Sequence, residues 1–308
     1  MSHAASPSRD QFYGVARVCA VWGVARATVY RHRAVASRVD NTPRPAQRRG
    51  PVGACSDEDL LVQIKAVIEA SRFHGEGYRK VWARLRLKGI RTAPRRVRRL
   101  MKEHGLQAPH QVRPAQDYLH DGTIVTERVD DMWGTDMTQT VTTEEGRAHV
   151  FVAVDHCSGE FVGIHASHGA NRFEALEPIR QGVARHFGCI GGGIARDLKL
   201  RHDHGSNYMS DDFQDEIKFL GIASSPAFVR QPEGNGVAER AIRTLKENLL
   251  WVRHFATVEE LRQGLLAFAE TYNATWLRER HAYKTPNQIR ADQIALEPAV
   301  TMEHKMAA

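Results

Sequence analysis

Three acidic residues stand at separations that suit metal-dependent chemistry on phosphate esters. Asp136 and Asp203 lie in or directly after predicted strands, and Glu239 lies in a predicted helix, with 66 residues between the first two and 35 between the last two. Carboxylates held in this way can converge on hard divalent cations, and oxygen ligands favour Mg²⁺ or Mn²⁺ over zinc. Two such ions, roughly 3.5–4 Å apart, hold the attacking and leaving oxygens of an in-line phosphoryl displacement. We therefore predict that Asp136, Asp203 and Glu239 are the catalytic residues and the ligands of two metal ions.

The helix that carries Glu239 also carries basic residues that could hold a nucleic acid. Lys246 lies seven residues after Glu239, two helical turns along and on the same face, with Arg243 between them. We expect both to bind DNA, with solvated helix cations as the alternative. Asn235 and Gly236 are expected to cap this helix and turn the chain into it.

Other titratable side chains near these segments have simpler interpretations. His202 and His204 flank Asp203, but both are expected to be bystanders rather than metal ligands. Asp155 ends a strand and is followed by a predicted hairpin turn, so a turn acid is the preferred interpretation. Asp130 precedes the first strand and is expected to stay solvated.

Length and composition limit the classes of protein to which the chain can belong. A chain of 308 residues exceeds one ordinary core and predicts two or three domains. No apolar run approaches the ~20 residues of a membrane helix, and the polar N-terminus lacks the apolar region of a signal peptide. The four cysteines are scattered and form no Cys-x-x-Cys pair, which argues against a disulfide framework or a cysteine zinc site. We therefore expect a cytoplasmic protein without a membrane partner.

Basic and acidic residues are unevenly distributed along the chain. Residues 1–116 contain 23 lysines and arginines against 8 acids, whereas the remainder contains 20 against 28. A basic first part joined to an acidic second part is typical of a protein that binds a polyanion and carries a separate carboxylate-rich domain. A solvated charged surface is the alternative when charge alone is considered.

Two short helices separated by Gly23 are predicted in the N-terminal segment, 1–37. The second would expose Arg31 and Arg33, so the segment is a candidate DNA-binding helix-turn-helix, although any small helical hairpin gives the same pattern. Residues 38–55 contain breakers and charge without apolar periodicity, which predicts a linker.

A second helical unit is predicted over 56–106, followed by a polar linker, 107–127. Ser56 is expected to cap its first helix, and Pro94 to stand in the first turn of its third. The outer face of the third helix carries Arg95, Arg96, Arg98 and Arg99. Salt-dependent phosphate contacts from these arginines would make the unit a DNA-binding helix-turn-helix domain. A protein-binding helical bundle is the alternative.

From residue 128 the apolar pattern changes to the period of strands. Three sequential strands, a helix, a strand, a helix, a strand and a long helix over 237–255 are predicted within 128–256. This order describes an α/β protein with a mixed five-stranded sheet and flanking helices, the ribonuclease-H-like architecture. A capping box at Thr257 and Glu260 predicts a final long helix in the segment 257–308, whose tail beyond Pro286 is short and polar.

Ordered motifs around the three acids resemble those of a known enzyme family. They are Trp133-x-x-Asp136-x-Thr138, Asp203-x-Gly205-x-x-Tyr208 and Gln231-Pro232-Glu233-Gly234-Asn235-Gly236-x-x-Glu239, preceded by Gly75-Glu76-Gly77-Tyr78-Arg79 and followed by Tyr272-Asn273 and Thr285-Pro286. Together they resemble the DDE transposases and retroviral-type integrases, and most closely the second-frame (OrfB) transposases of two-frame bacterial insertion sequences. The resemblance covers roughly residues 56–290.

The resemblance implies a transposase that binds the terminal inverted repeats of its element and a target DNA, and that catalyses metal-dependent strand cleavage and strand transfer. It also implies a homo-oligomer on DNA, a location at the nucleoid, and an upstream-frame (OrfA) product as a partner or fusion. His204 stands where the family usually has Asn, and the C-terminal motif departs from the family at Trp276, Arg278, Arg280 and His281. An inactive or domesticated DNA-binding relative and a ribonuclease-H-like nuclease without strand transfer therefore stay open as alternatives.

Overall fold

The structure, a computed structural model, describes residues 4–36, 55–109, 124, 126–227 and 235–295. Residues 38–54 of the first predicted linker, most of the second, the Gln231–Gly234 part of the third motif and the tail from 296 lie outside these ranges. The chain divides into two units, Met1–Val52 and Gly53–Ala308.

The first unit contains the two predicted short helices, α1 (Gly14–Trp22) and α2 (Arg26–Ala36). Gly23 ends α1 in the left-handed conformation, with φ of 63°, where its N–H bonds to the carbonyl of Cys19. The prediction of two helices with a glycine turn is confirmed.

The second unit begins with three helices, α3 (Asp57–Glu69), α4 (Tyr78–Leu87) and α5 (Pro94–Glu103). The Ser56 hydroxyl accepts the N–H of Asp59 at 3.0 Å and caps α3 as predicted. The apolar positions of the three helices meet in one small core, which contains Leu60, Ile64, Val67, Val81, Leu85, Val97, Leu100 and Met101.

The loop between α3 and α4 fastens these helices to the rest of the unit. Phe73 is buried, and its ring makes an edge contact with Trp276 at a centroid distance of 4.8 Å. The N–H of His74 donates to the side-chain oxygen of Asn248 at 2.7 Å, and Arg79 pairs with Glu279 at 2.9 Å. Burial of a phenylalanine in the neighbouring core makes this a packed junction rather than a loose tether.

A five-stranded mixed sheet forms the centre of the unit, in the order β3-β2-β1-β4-β5. The strands are β1 (Met132–Thr142), β2 (Gly146–Asp155), β3 (Phe161–Ser167), β4 (Lys199–His202) and β5 (Ala223–Pro226). The first three strands pair antiparallel, whereas β4 is parallel to β1 and β5 is parallel to β4. This topology is the ribonuclease-H-like arrangement, and the predicted fold class is confirmed.

Alternating side chains of the central strands supply two separate cores. In β2, Val150, Val152 and Val154 join one cluster, and Phe151 and Ala153 join the other. The first cluster is closed by α8 (Gly236–Leu245) and α9 (Val258–Thr275), and the second by α6 (Arg172–Phe187) and α7 (Asp211–Phe219). Helices therefore cover both faces of the sheet, as its buried strands require.

The helix that carries Glu239 is shorter than predicted. α8 ends at Leu245 and continues as one π-helical turn, Lys246–Leu250, in which the N–H of Trp251 bonds to the carbonyl of Lys246 at 2.9 Å. Both Leu249 and Leu250 are buried in the first cluster. The helical segment therefore ends at Leu250, before the predicted end at residue 255.

The C-terminal part of the chain follows the sheet closely. The predicted capping box begins α9: the Glu260 N–H donates to the Thr257 hydroxyl at 3.1 Å. A short 3₁₀ turn, Glu279–His281, and a helix over 286–295 (α10) come next. No helix within the described residues is both long enough and apolar enough to span a bilayer.

Candidate active site

Two neighbouring parallel strands place the two aspartates. Asp136 lies in β1, and Asp203 directly follows the last residue of β4. Gly134 pairs with Arg201 between these strands, so the same register continued by two residues sets Asp203 beside Asp136. The segment of 66 residues between the aspartates contains β2, β3 and α6, after which the chain returns to β4, the strand next to β1.

The charges of the predicted side chains affect the pKa of Asp136. Burial raises the pKa of Asp136 to about 6, and the negative charges of Asp203 and Glu239 add to the rise. The N–H of Met137, which donates to the Asp136 carboxylate at 2.7 Å, and the Lys246 ammonium act in the opposite direction. Burial also raises the pKa of Glu239. The charges of these residues therefore act on Asp136, while their shared catalytic role stays a prediction.

The carboxylates do not form a tight cluster in this structure. Asp136 accepts from the N–H of Met137, Asp203 accepts from the N–H of Gly205 at 2.8 Å, and Glu239 is exposed. Across the described ranges, no three histidine, cysteine, aspartate or glutamate side chains are gathered closely enough to hold an ion. Each aspartate bonds to its own chain, and the like charges repel one another, so the two-ion site stays a prediction.

The donor set nevertheless fits a hard divalent cation. All three side chains are carboxylates, and their mutual repulsion is what a cation between them would relieve. Lys246 is the cationic side chain that already lowers the pKa of Asp136. Asp136, Asp203 and Glu239 therefore suit Mg²⁺ or Mn²⁺, because their carboxylate oxygens are the ligands these ions prefer and because their charges act on one another.

Asn235 fixes the Glu239 helix to the strand of Asp136, but by a different contact from the predicted one. It occupies the N-cap position of α8, yet its side chain makes no capping hydrogen bond. Its amide instead donates to the carbonyl of Thr135 at 2.9 Å. The helix start is therefore held by the neighbouring strand rather than by its own cap.

The two glycines next to this contact differ in the space around them. Gly236, the first residue of α8, is open, since an added Cβ would meet nothing within 4 Å. At Gly134 an added Cβ would lie 3.0 Å from the side-chain oxygen of Asn235. The close approach of strand and helix thus requires a glycine at 134 and not at 236.

Two aromatic residues and a histidine pack beneath the aspartates. Tyr208 is buried, and burial together with the charges of Asp136 and Asp203 raises the pKa of its phenol, which therefore stays protonated. His202 stacks on Tyr208 at 5.7 Å and makes an edge contact with Phe213 at 6.1 Å. Its ring nitrogens contact the carbonyl of Asp203 at 2.7 Å and the hydroxyl of Ser224 at 2.9 Å, and burial lowers its pKa. These contacts make His202 a structural residue, in agreement with its interpretation as a bystander.

The basic residues of the Glu239 helix differ in their availability. Lys246 acts on Asp136 electrostatically, as its predicted position requires. Arg243 forms an ion pair with Glu247 at 2.7 Å, one turn further along. A DNA phosphate would have to compete with that carboxylate for Arg243.

The four arginines of α5 are not equivalent in the structure, and their assignment to DNA stays a prediction. Arg96 and Arg99 both bind the carboxylate of Asp57 at 2.6 Å. These two therefore hold α5 against the start of α3. Arg95 and Arg98 are exposed, and the Arg98 guanidinium lies 5.6 Å from the ring centroid of Tyr78.

In the N-terminal unit, Arg31 and Arg33 are exposed on α2. Their predicted contact with DNA stays a prediction.

A buried ion network below β1 was not expected from the sequence. Arg290, on α10, pairs with Asp130 at 2.6 Å and with Glu160 at 2.5 Å. The indole N–H of Trp133 also donates to Asp130 at 2.9 Å, so the prediction of a solvated Asp130 is wrong. No periodicity marks Arg290, because it lies in the polar tail whose helix the sequence does not reveal.

Asp155, at the end of β2, has the role that its sequence context indicates. Its carboxylate accepts from the N–H of Ser158 at 2.7 Å and from the hydroxyl of the same residue at 2.6 Å. These bonds close the hairpin turn, and Asp155 is a turn acid.

Known domain families match most of the second unit. An HTH-like domain matches residues 56–114, and an integrase core domain matches residues 126–232 and again 220–286. The transposase InsD for insertion element IS2A/D/F/H/I/K of Escherichia coli is 26% identical over 239 residues, which cover 75% of this chain and 78% of that protein. The transposase InsD for insertion element IS2-9 of Escherichia coli strain K12 is also 26% identical, over 75% of this chain and 76% of its own.

Solved integrase structures also align with the chain. The HTLV-2 integrase catalytic core domain in complex with magnesium, in its dimeric form, aligns with a TM-score of 0.40 and 19% identity over 53% of this chain and 97% of that one. The simian T-cell lymphotropic virus intasome in complex with PP2A regulatory subunit B56 gamma aligns with a TM-score of 0.40 and 17% identity over 76% of this chain and 74% of that one.

The two integrase core matches together run from residue 126 to residue 286, more than half of the chain, and they follow an HTH-like domain in a sequence similar to bacterial transposases. The chain belongs to the family of DDE transposases and retroviral-type integrases.

Proposed function

We propose that this transposase binds the ends of a bacterial insertion sequence and catalyses strand cleavage and strand transfer with Asp136, Asp203 and Glu239. The observation that supports this assignment is the electrostatic coupling of Asp136 to Asp203, Glu239 and Lys246. A site of three carboxylates beside one lysine combines metal ligands with a group that can hold a DNA phosphate.

The proposed reaction has two phosphoryl transfers. In the first, the oxygen of a water molecule attacks the phosphorus at the element end and the bond to the 3′ oxygen breaks. This leaves a 3′-hydroxyl and a 5′-phosphate, and the proton lost by the water is balanced by the one gained by the leaving oxygen. In the second, the 3′-hydroxyl oxygen attacks a target phosphodiester and gives up its proton, while the displaced 3′ oxygen of the target takes one up.

The residues of the chain have separate tasks in these steps. Asp136, Asp203 and Glu239 would hold the cations, and Asp136 is ionised at neutral pH because its pKa of about 6 lies below neutral pH. Bound Mg²⁺ or Mn²⁺ supplies activation of the attacking oxygen and neutralisation of the charge that develops on phosphorus. Lys246 and Arg243 hold the terminal nucleotides, and Asn235 keeps α8 on β1.

The other parts of the chain bring DNA to this site. Residues 56–106 form the helix-turn-helix domain that recognises the terminal repeats, 128–256 form the catalytic core, and 1–37 add a second DNA contact through Arg31 and Arg33. We further propose that the protein acts at the nucleoid as a homo-oligomer on DNA, with an upstream-frame product as partner or fusion.

A joining assay tests the proposal. The protein is incubated with Mg²⁺, a pre-cleaved oligonucleotide taken from the DNA that flanks the gene, and a target plasmid, and joined products are expected. Asp203→Asn should abolish cleavage and joining while leaving binding to the end oligonucleotide within about twofold of the wild type. Cleavage without joining would identify a nuclease. Equal loss of binding and chemistry in Asp203→Asn would contradict the catalytic role of that residue.

A further inference from the structure

A cavity of about 290 Å³ opens beside the first turn of α8, outside the set of catalytic carboxylates. Its polar wall is formed by His156, Arg240, Arg278 and Arg280, and Gly236 contributes the start of α8. No acidic residue is among the described residues that line it. Three guanidinium groups without a carboxylate make the cavity strongly favourable for an anion.

The start of α8 adds uncapped donors to this positive wall. The helix has ten residues, and its first N–H groups have no partner within the helix. Asn235 does not cap them, because its side chain is directed to Thr135. The positive end of the helix dipole therefore lies at the cavity, where Gly236 and Val237 form part of the wall.

His156 gives the second, independent indication of a ligand. Its side chain is 1% exposed, and within the described ranges neither ring nitrogen has a hydrogen-bond partner. The backbone of Ile124 lies close enough to favour the protonated ring. Buried polar groups in proteins are nearly always hydrogen-bonded, so an imidazole without a partner in a cavity wall is a group that a ligand could satisfy. Its Nε2 lies beside Gly134, where an added Cβ would be 2.8 Å from it. Burial lowers the pKa of His156 to about 4, with Arg280 contributing in the same direction, so the neutral ring offers one N–H.

Two of the arginines are held in place at the wall. Arg280 donates to the carbonyl of Thr126 at 2.6 Å. The Arg278 guanidinium lies directly over Gly159, where an added Cβ would be 2.5 Å from its central carbon. Arg278 and Arg280 are also two of the residues by which the C-terminal motif departs from the family it resembles.

We infer that this cavity binds a phosphate group of the DNA backbone through Arg240, Arg278, Arg280, His156 and the N-terminus of α8. The DNA source rests on the proposed function, and it is favoured because Arg240 directly follows Glu239 on α8. A strand held at the carboxylates passes the same turn of helix, and a neighbouring phosphate enters the cavity.

Inorganic phosphate tests the cavity without DNA. The wild type is titrated with sodium phosphate and, at matched ionic strength, with sodium chloride, while the side-chain NMR signals of His156 are followed. Phosphate should move these signals to saturation and chloride should not. Arg240→Gln should weaken the apparent phosphate affinity at least about tenfold, as removal of one charge-assisted hydrogen bond predicts. An unmoved His156 signal in the wild type would overturn the inference.

A DNA-binding experiment compares Arg240→Gln with a matched arginine variant. Arg147 is exposed on β2, seven residues from Val154 at the cavity wall, or roughly 23 Å along the strand. Arg240→Gln should reduce the slope of log K against log salt for the end oligonucleotide by about one, and Arg147→Gln should leave it unchanged. Arg280→Gln serves as a second variant if Arg240→Gln has a lowered thermal midpoint.

The outcomes separate this inference from the proposed function. Loss of phosphate binding in Arg240→Gln with an unchanged DNA salt slope would show a site for free phosphate and overturn the DNA assignment. Failure of the joining assay with a normal phosphate titration would count against the proposed reaction and leave the cavity as a phosphate site.

Discussion

The side-chain amide of Asn235 donates to the carbonyl of Thr135 at 2.9 Å, and this bond joins the helix of Glu239 to the residue before Asp136. Gly134 lies against the same contact: an added Cβ would be 3.0 Å from the Asn235 oxygen and 2.8 Å from a ring nitrogen of His156. Two of the three proposed metal ligands, Asp136 and Glu239, are thus positioned by a contact that involves neither carboxylate.

Gly134→Ala should displace Asn235 and so move Glu239 relative to Asp136. We expect strand transfer to fall at least about tenfold, since small displacements of catalytic groups have large effects on rate, and end binding to stay within about twofold. Gly191→Ala is the matched control, because an added Cβ there meets nothing within 4 Å. Equal activity of the two alanine variants would show that this contact does not position Glu239.

Asp136 should make the fold less stable at neutral pH than at low pH. Its pKa is raised from 3.8 to about 6, so between these values the folded protein holds a proton that the unfolded chain has released. The ionised carboxylate therefore destabilises the fold above about pH 6, and this cost is absent below pH 4. Asp136→Asn is expected to raise the free energy of unfolding at pH 7.5 in EDTA by about 1–2 kcal/mol. A shift of one pKa unit corresponds to ~1.36 kcal/mol, and the expected gain is smaller than the full shift would give because the carboxylate is partly exposed.

Urea unfolding at pH 7.5 and at pH 4 measures this difference. The gain in the free energy of unfolding of Asp136→Asn should vanish at pH 4. Mg²⁺ added at pH 7.5 should raise the thermal midpoint of the wild type and have little effect on Asp136→Asn. A stabilisation of Asp136→Asn that is the same at both pH values would rule out the charge as its cause.

The arginines of α5 should separate into two functional classes. Replacing Arg95 and Arg98 by Ala should weaken DNA binding and reduce its salt slope by about one for each phosphate that is no longer bound. Arg96→Ala should instead lower the thermal stability, because it removes a partner of the half-buried Asp57. Fluorescence anisotropy over a series of salt concentrations, together with thermal unfolding, distinguishes them. A salt slope unaffected by the Arg95 and Arg98 changes would exclude that helix from phosphate binding.

Arg290→Met should destabilise the protein strongly. It leaves Asp130 and Glu160 without their shared cation, and loss of one partner of a buried pair costs about 3–5 kcal/mol. Lys284→Met is the control, since its ion pair with Asp292 is about half exposed and is worth about 1 kcal/mol or less. Urea unfolding of both variants gives the comparison. Similar losses of unfolding free energy in the two variants would mean that the network of Arg290, Asp130 and Glu160 stabilises the protein no more than a surface ion pair.

The order of strands and helices along the chain could be predicted from the sequence, because it follows from local periodicity. Asp136 and Asp203 stand at the edges of apolar runs, and Glu239 stands in a helix, so their element types are local properties. The partners of these elements are not local. The bond from Asn235 to Thr135 spans 100 residues, and the pair of Arg290 with Asp130 spans 160.

The errors have a common physical origin. An arginine on a helix face has the same sequence signal whether it meets solvent or a carboxylate, so the pairing of Arg96 and Arg99 with Asp57 is invisible before folding. The π-helical turn at Lys246 likewise has no signal in the sequence, because the apolar pattern of the segment fits an ordinary α-helix.

Phe73 has a mechanical consequence. Its ring packs among aromatic side chains of the sheet-bearing part, so the arginine-carrying helices are joined to that part by a buried contact. A DNA duplex bound by those helices would therefore present its end at a fixed distance and rotational phase from the acidic residues. The spacing between the bound sequence and the cleaved bond would then be set by the fold of the protein.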